Sequence, residues 1–233
     1  MQFGDSTPLT PFPLLIGPED LNTGANTSPW ISLENYGGGF IVISLGDVAG
    51  GTAAVTLDQA TDSAGTGTKT LGFTKYYQNG QSFAISAQSG TFAVAETVTG
   101  GTSGNTAYVV KISSDTLWMV LLTGTTTWTT TETLTGGTSA ATATLTGTGT
   151  DEDILLELTA AANTFSTLAI VFGQYVIPVD NTMLDGDNDF THFQLDIAQA
   201  GVGPTEGCAV FVPFNPRILT YPQKTLIDAQ KYA

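Results

Sequence analysis

Residues 92–109 read FAVAETVTGGTSGNTAYV and residues 128–145 read WTTTETLTGGTSAATATL, so one phrase recurs at an offset of 36 residues. Glu96 matches Glu132, Gly100-Gly101 match Gly136-Gly137, and Thr102-Ser103 match Thr138-Ser139. An aromatic residue, Phe92 or Trp128, opens each copy. A repeat at fixed spacing restricts a chain to architectures that set equivalent units side by side. Two copies are too few for a solenoid. Each reads as strand, Gly-Gly turn, strand, with glycine supplying the positive φ of a tight hairpin. The pair predicts a small β domain over residues 83–150, inserted in a larger β-rich body. The alternative is one continuous sandwich carrying a duplicated hairpin.

The rest of the chain reads as β without helical periodicity. Turn signals recur every ten to fifteen residues, roughly the spacing of a sandwich or jelly roll. Residues 30–45, WISLENYGGGFIVISL, predict an alternating segment, a turn at Gly37-Gly38-Gly39 and a buried strand. Residues 53–62 and 70–77 predict further strands, and residues 78–91 a lead-in to the inserted domain. After it, residues 154–180 predict two or three strands, with one helical turn in Ala160–Thr164. In residues 190–198, Phe190, His192, Gln194 and Asp196 alternate with Thr191, Phe193, Leu195 and Ile197. Residues 208–214 predict a closing strand, and residues 225–233 a short helix.

The expected fold is therefore all-β. A β-sandwich or jelly-roll-like body spans residues 30–82 plus 151–214, an inserted small β domain residues 83–150, an extended N-terminal arm residues 1–29, and a C-terminal tail residues 215–233. Five prolines in the arm disfavour helix or central strand. Its apolar residues Phe3, Leu9, Phe12, Leu14, Leu15 and Ile16 are more than a disordered tail usually carries. The arm is expected to pack on its own body or on a neighbouring subunit, and these six residues are the candidate contacts.

Charge narrows the functions. Only 12% of the 233 residues are charged, with a net charge of −15 and six Lys and Arg in all. No basic patch can form from so few cations, which disfavours direct nucleic-acid binding and anionic membranes. An acidic surface suits a partner whose contact face is basic or neutral. The lone Cys208 precludes an intrachain disulfide and reads as a small buried hydrophobe. No positively charged region followed by an apolar stretch opens the chain, and synthesis and retention in a cytoplasm is the expectation.

Catalytic signals are weak. The single histidine, His192, lies in an alternating strand beside no nucleophile motif, and a surface or edge-strand position is expected. Asp185, Asp187 and Asp189 alternate like the opening of a Ca²⁺ loop, with Asp196 twelfth. The sixth position is Phe190, where such a loop needs glycine, so a solvated acidic turn is expected and no cofactor or metal. The GGTS turns lack the lysine and helix of a phosphate loop. Tyr76, Tyr77, Trp118 and Trp128 offer a sugar-stacking platform or, more plainly, packing residues.

The stretch WISLENYGGGFIVISLGDVAGGTAAVTLDQATDSAGTGTKTLGFTKYY resembles a segment of small structural proteins of tailed bacteriophages. YVIPVDNTMLDGDNDFTHFQLDIA is similar to a strand-loop-strand of the same proteins, and ETVTGGTSG resembles a small β module inserted into many phage virion proteins. The resemblance covers about two thirds of the chain. It implies a capsid decoration, or cement, protein on the outer capsid surface, a homotrimer clamping neighbouring major capsid subunits, and no enzyme. Other readings are a tail, baseplate or fibre-associated protein, or a carbohydrate-binding β module. The inserted domain, low in charge and rich in threonine, would suit weak multivalent contact with a host surface.

Overall fold

The computed structural model describes residues 13–22, 24, 26–48, 53–124, 128–147, 149–161, 163–167, 173–198 and 205–216. The first strands are β1 (Leu14–Asp20), β2 (Asn26–Thr27), β3 (Ile31–Ser32), β4 (Tyr36–Val48), β5 (Ala54–Ala60) and β6 (Lys69–Thr70). There follow β7 (Lys75–Ser89), β8 (Thr97–Gly100), β9 (Thr106–Ile112), β10 (Thr116–Thr123), β11 (Thr133–Gly136) and β12 (Thr142–Leu145). The last are β13 (Thr150–Thr159), β14 (Thr164–Ser166), β15 (Gln174–Asp180), β16 (His192–Ile197) and β17 (Thr205–Pro216). Two single 3₁₀ turns, Asn181–Met183 and Gly186–Asn188, are the only helical elements among the described residues. The fold is all-β, with a sandwich-like body.

The body has two sheets. The larger runs β1-β17-β4-β15-β7, with β13 on the far side of β7, and every pairing is antiparallel. The smaller runs β14-β5-β16-β2, with β6 on β5 and β3 on β16. Alternation puts Ile41, Ile43, Tyr175, Ile177, Ala209 and Phe211 of the first sheet against Val55, Leu57, Phe193, Leu195 and Ile197 of the second, all fully buried. Such alternation is what a sheet with one dry face requires. Phe193 meets Phe211 edge-on at 5.0 Å between ring centres, and Tyr76 stacks on Phe165 at 4.0 Å.

A second core, centred on Phe83, Val98, Val109, Leu117, Met119, Leu134, Leu145 and Trp128, belongs to residues 83–145. Its strands follow the order β7-β10-β9-β8-β11-β12, and β12 pairs again with β7. The ladder thus closes into a six-stranded barrel, which leaves no free edge.

Three sequence expectations differ from what is seen. Gly37, Gly38 and Gly39 form no turn; they lie inside β4. A Cβ on Gly39 would strike the ring of Phe211, and one on Gly38 would stand 3.0 Å from the ring of Phe214. The glycines let β15 and β17 approach β4 closely, a different use of glycine from turn formation. The strand expected over residues 70–77 does not end there: residues 78–89, within the expected entry to the inserted domain, continue it as β7 into the barrel. β7 runs straight from body to barrel because it is paired throughout, by β13 and β15 at its start and by β10 and β12 at its end. Its polar residues seal the junction: buried Gln78 donates to the Leu121 carbonyl at 3.1 Å and Asn79 accepts from the Gln174 amide at 2.8 Å. Ala160–Thr164 holds a tight turn, not a helical one. Ala161 bridges Thr164, and Asn163 takes φ 66°, a conformation asparagine tolerates. The helix expected at residues 225–233 lies outside the described residues.

Candidate interaction surfaces

The two repeats interlock through their glutamates. Glu96 lies on its own repeat yet reaches the turn of the other, accepting from the amides of Thr138 (3.1 Å) and Ser139 (2.9 Å) and from the Ser139 hydroxyl (2.8 Å). Glu132 does the same for Thr102 (3.1 Å), Ser103 (3.0 Å) and the Ser103 hydroxyl (3.0 Å). Each also accepts an amide three residues before it, Ala93 or Thr129. β8 and β11 meet antiparallel at the centre, which sets the two carboxylates in equivalent places about a local two-fold.

Both glutamates are 3% exposed. Burial raises their pKa, but the hydrogen bonds from Ser139, Ala93 and Thr138, or from Ser103, Thr102 and Thr129, outweigh it and hold both below the ordinary glutamate value. The glycines now have a second reason. A Cβ on Gly136 would lie 2.8 Å from both Glu96 oxygens, and one on Gly100 would lie 2.9 Å from the Glu132 carboxyl carbon. Backbone strain repeats too: Ala95 and Thr131 stand at φ 70° and 73°, one offset apart.

Outside, the barrel carries a row of hydroxyls. Thr123 pairs with Thr106, Thr106 with Thr99, Thr99 with Thr135, Thr135 with Thr142, and Thr142 with Ser89. All six are exposed or half-buried, so the row crosses every strand of the barrel. Cross-strand threonine pairs of this kind stabilise a sheet and leave an uncharged surface.

The outer face of the larger body sheet is different. Leu14, Val210, Val42, Val176 and Tyr77 are successive register partners across five strands. Beside them Val212, Phe40 and Pro178 form a second apolar row, with Phe214 5.3 Å from Phe40. Phe40 is 42% and Leu155 51% exposed. An open groove of about 450 Å³ is lined by Phe40, Val42, Tyr77, Leu155, Val176 and Val212. At the other end of β17 the face turns acidic, where Glu19, Asp20, Glu206, Ser44 and Cys208 line a cleft of about 410 Å³.

The sequence candidates fall as follows. Phe3, Leu9 and Phe12 lie outside the described residues. Leu15 and Ile16 are buried in the chain's own core, while Leu14 is 54% exposed. Cys208 is half-buried, not buried, because it faces outward between the inward-facing Gly207 and Ala209. His192 is on a central strand, between β5 and β3, and its Nδ1 meets the Thr191 hydroxyl at 2.8 Å.

In the acidic loop, Lys69 and the Asn188 amide (2.9 Å) engage the Asp185 carboxylate and hold its pKa down. Asp189 takes the left-handed conformation, and Asp196 accepts from the Thr27 hydroxyl. Among the described residues no His, Cys, Asp or Glu side chains gather in a group of three or more fit to hold a metal ion.

The four aromatic candidates do not share a surface. Tyr76 packs on the body core, Tyr77 faces outward to Glu157, Trp128 fills the barrel, and Trp118 lies under Lys111 outside it. The reciprocal glutamates were missed. Their signal was a lone acid at the same place in two phrases otherwise made of uncharged residues. Compared with protein families, characterised proteins and solved structures, the chain matches none.

Proposed function

We propose that this chain is a structural protein of a tailed-bacteriophage virion. It decorates the outer capsid surface as a homotrimer and stabilises contacts between major capsid subunits. It is made in the host cytoplasm and carries no catalytic site.

The observation that supports the reading best is the way the arm is held. β1 pairs only with β17 among the described residues, at the outer edge of the larger sheet. Leu15 and Ile16 anchor it in the core, while Leu14 stays exposed where the preceding thirteen residues join. An arm clamped at its root has its reach limited, so docking Phe3, Leu9 and Phe12 on a neighbour costs less ordering entropy. The net charge of −15 suits a basic or neutral capsid surface. The hydroxyl row of the barrel is the proposed weak contact with a host surface.

The test compares the full chain with one lacking residues 1–12. The full chain should scatter light as three copies and bind purified capsid shells in hundreds of copies per particle. The shortened chain should keep its unfolding midpoint and lose both properties. A monomer that ignores shells would end the reading, and a few copies ringed on the tail would replace it with a tail protein. Thr99→Glu with Thr135→Glu should weaken host adsorption, and unchanged adsorption removes that contact from the proposal.

A further inference from the structure

The outer face of the larger sheet is an apolar surface left open by every described residue, with an acidic end. Face-sized apolar patches on a chain in water mark something that binds there. Such an occupant must be apolar in the middle and cationic at one end.

We infer that the occupant is the chain's own C-terminal segment, residues 217–233, lying back across the face. The inference is independent of the virion reading. Three observations converge on it.

The first is charge. Residues 217–233, RILTYPQKTLIDAQKYA, hold Arg217, Lys224 and Lys231 against one acid, a net +2. The remaining 216 residues hold three cations and twenty acids, a net −17. Half the cations of the chain are thus in its last 17 residues, interleaved with Ile218, Leu219, Tyr221, Leu226, Ile227 and Tyr232.

The second is position. β17 ends at Pro216, the register partner of Tyr36, two residues past Phe214, whose ring lies tilted 5.3 Å from that of Phe40 at the rim of the apolar groove. The segment therefore starts beside the surface it would cover.

The third is length. From Pro216 back to Glu206 at the acidic cleft is ten residues of strand, about 34 Å. Lys231 is fifteen residues past Pro216, an extended reach of about 50 Å. The chain can cross the groove and set Lys231 among Glu19, Asp20 and Glu206. The N-terminal segment fits less well: residues 1–12 carry Asp5 and no cation.

The lone thiol is a ready reporter, since Cys208 lines the acidic cleft on this face. The experiment follows alkylation of Cys208 by iodoacetamide, a neutral reagent, and the fluorescence of Nile red, a neutral apolar probe. It compares the full chain, a chain ending at Pro216, and full-length Leu226→Asp/Ile227→Asp.

Both altered chains should show a several-fold rise in alkylation rate and in probe fluorescence, with the β circular dichroism spectrum unchanged. Lys224→Glu with Lys231→Glu should give a smaller rise that shrinks at high salt, where the unaltered chain loses the same attraction. Equal alkylation and equal fluorescence in all chains overturn the inference. So does a rise seen only when residues 1–12 are removed, which names that segment instead. Protection in the full chain that disappears on dilution assigns the face to a second copy and also overturns it.

Discussion

The barrel and the sandwich are built from the same threonine- and glycine-rich strands, yet they finish in opposite ways. The barrel closes its ladder and fills its centre, and the last polar groups of its two turns are satisfied by Glu96 and Glu132. Among the described residues the sandwich keeps open edges at β1 and β13 and leaves one apolar sheet face uncovered. Stability in the barrel is therefore internal, whereas part of the sandwich surface awaits a cover.

The sharpest way to break the comparison is to remove the clasp. Glu132→Ala leaves the amides of Thr102, Ser103 and Thr129 without their acceptor, and should destabilise the barrel by about 3–5 kcal/mol. The body should change little. Urea unfolding followed by tryptophan fluorescence, with Trp118 and Trp128 in the barrel and Trp30 beside Gly65 in the body, should then separate into two transitions. A single unshifted transition would show that the clasp is ornamental.

Gly136→Ala comes next, at about 2–3 kcal/mol, because its Cβ displaces both Glu96 oxygens while the carboxylate survives. The same readout should place it between the parent and Glu132→Ala.

Acid should sharpen the contrast, because the signs differ. The pKa of Glu96 and of Glu132 is depressed in the folded barrel, so their stabilisation is complete above the ordinary glutamate value of 4.5 and lost as pH falls through the folded values. Asp58 in the body is raised above 3.8, by burial first and by Asp196 second. Its ionised form disfavours the fold, so that penalty is present at neutral pH and relieved as the group protonates. Lowering pH from 5 to 3 should weaken the barrel ahead of the body, as seen in acid titration of the tryptophan signal. Glu96→Gln with Glu132→Gln should flatten that response.

Much of the plan was legible. The 36-residue offset marked the barrel, and alternation in residues 190–198 marked β16 and its buried face. What was hidden depended on partners distant in the chain. Gly37–Gly39 looked like a turn because local chemistry favours one, while the rings that require them, Phe211 and Phe214, lie more than 170 residues away. The polar stretch at Gln78-Asn79 read as the end of a strand because its hydrogen-bond partners, Leu121 and Gln174, are elsewhere. Cys208 sits in an apolar run, but the run alternates between a dry face and an open one.

The smallest expected effect tests the symmetry of the repeats. Thr131 is β-branched, exposed and at φ 73°. Thr131→Gly should stabilise the barrel by about 1 kcal/mol, seen as a higher unfolding midpoint. Ala95→Gly should give a smaller gain, since alanine strains less there.

The shared strand β7 has a mechanical consequence. Fifteen residues run from one core to the other, with ladder partners on one side or the other along most of their length, so backbone hydrogen bonds span the junction of barrel and body. A pull on the barrel along β7 would load the β13 and β15 ladders in shear, where many hydrogen bonds resist together, instead of peeling them one at a time. The two bodies are then joined as a lap joint, with load on the barrel passing to the larger sheet through β7.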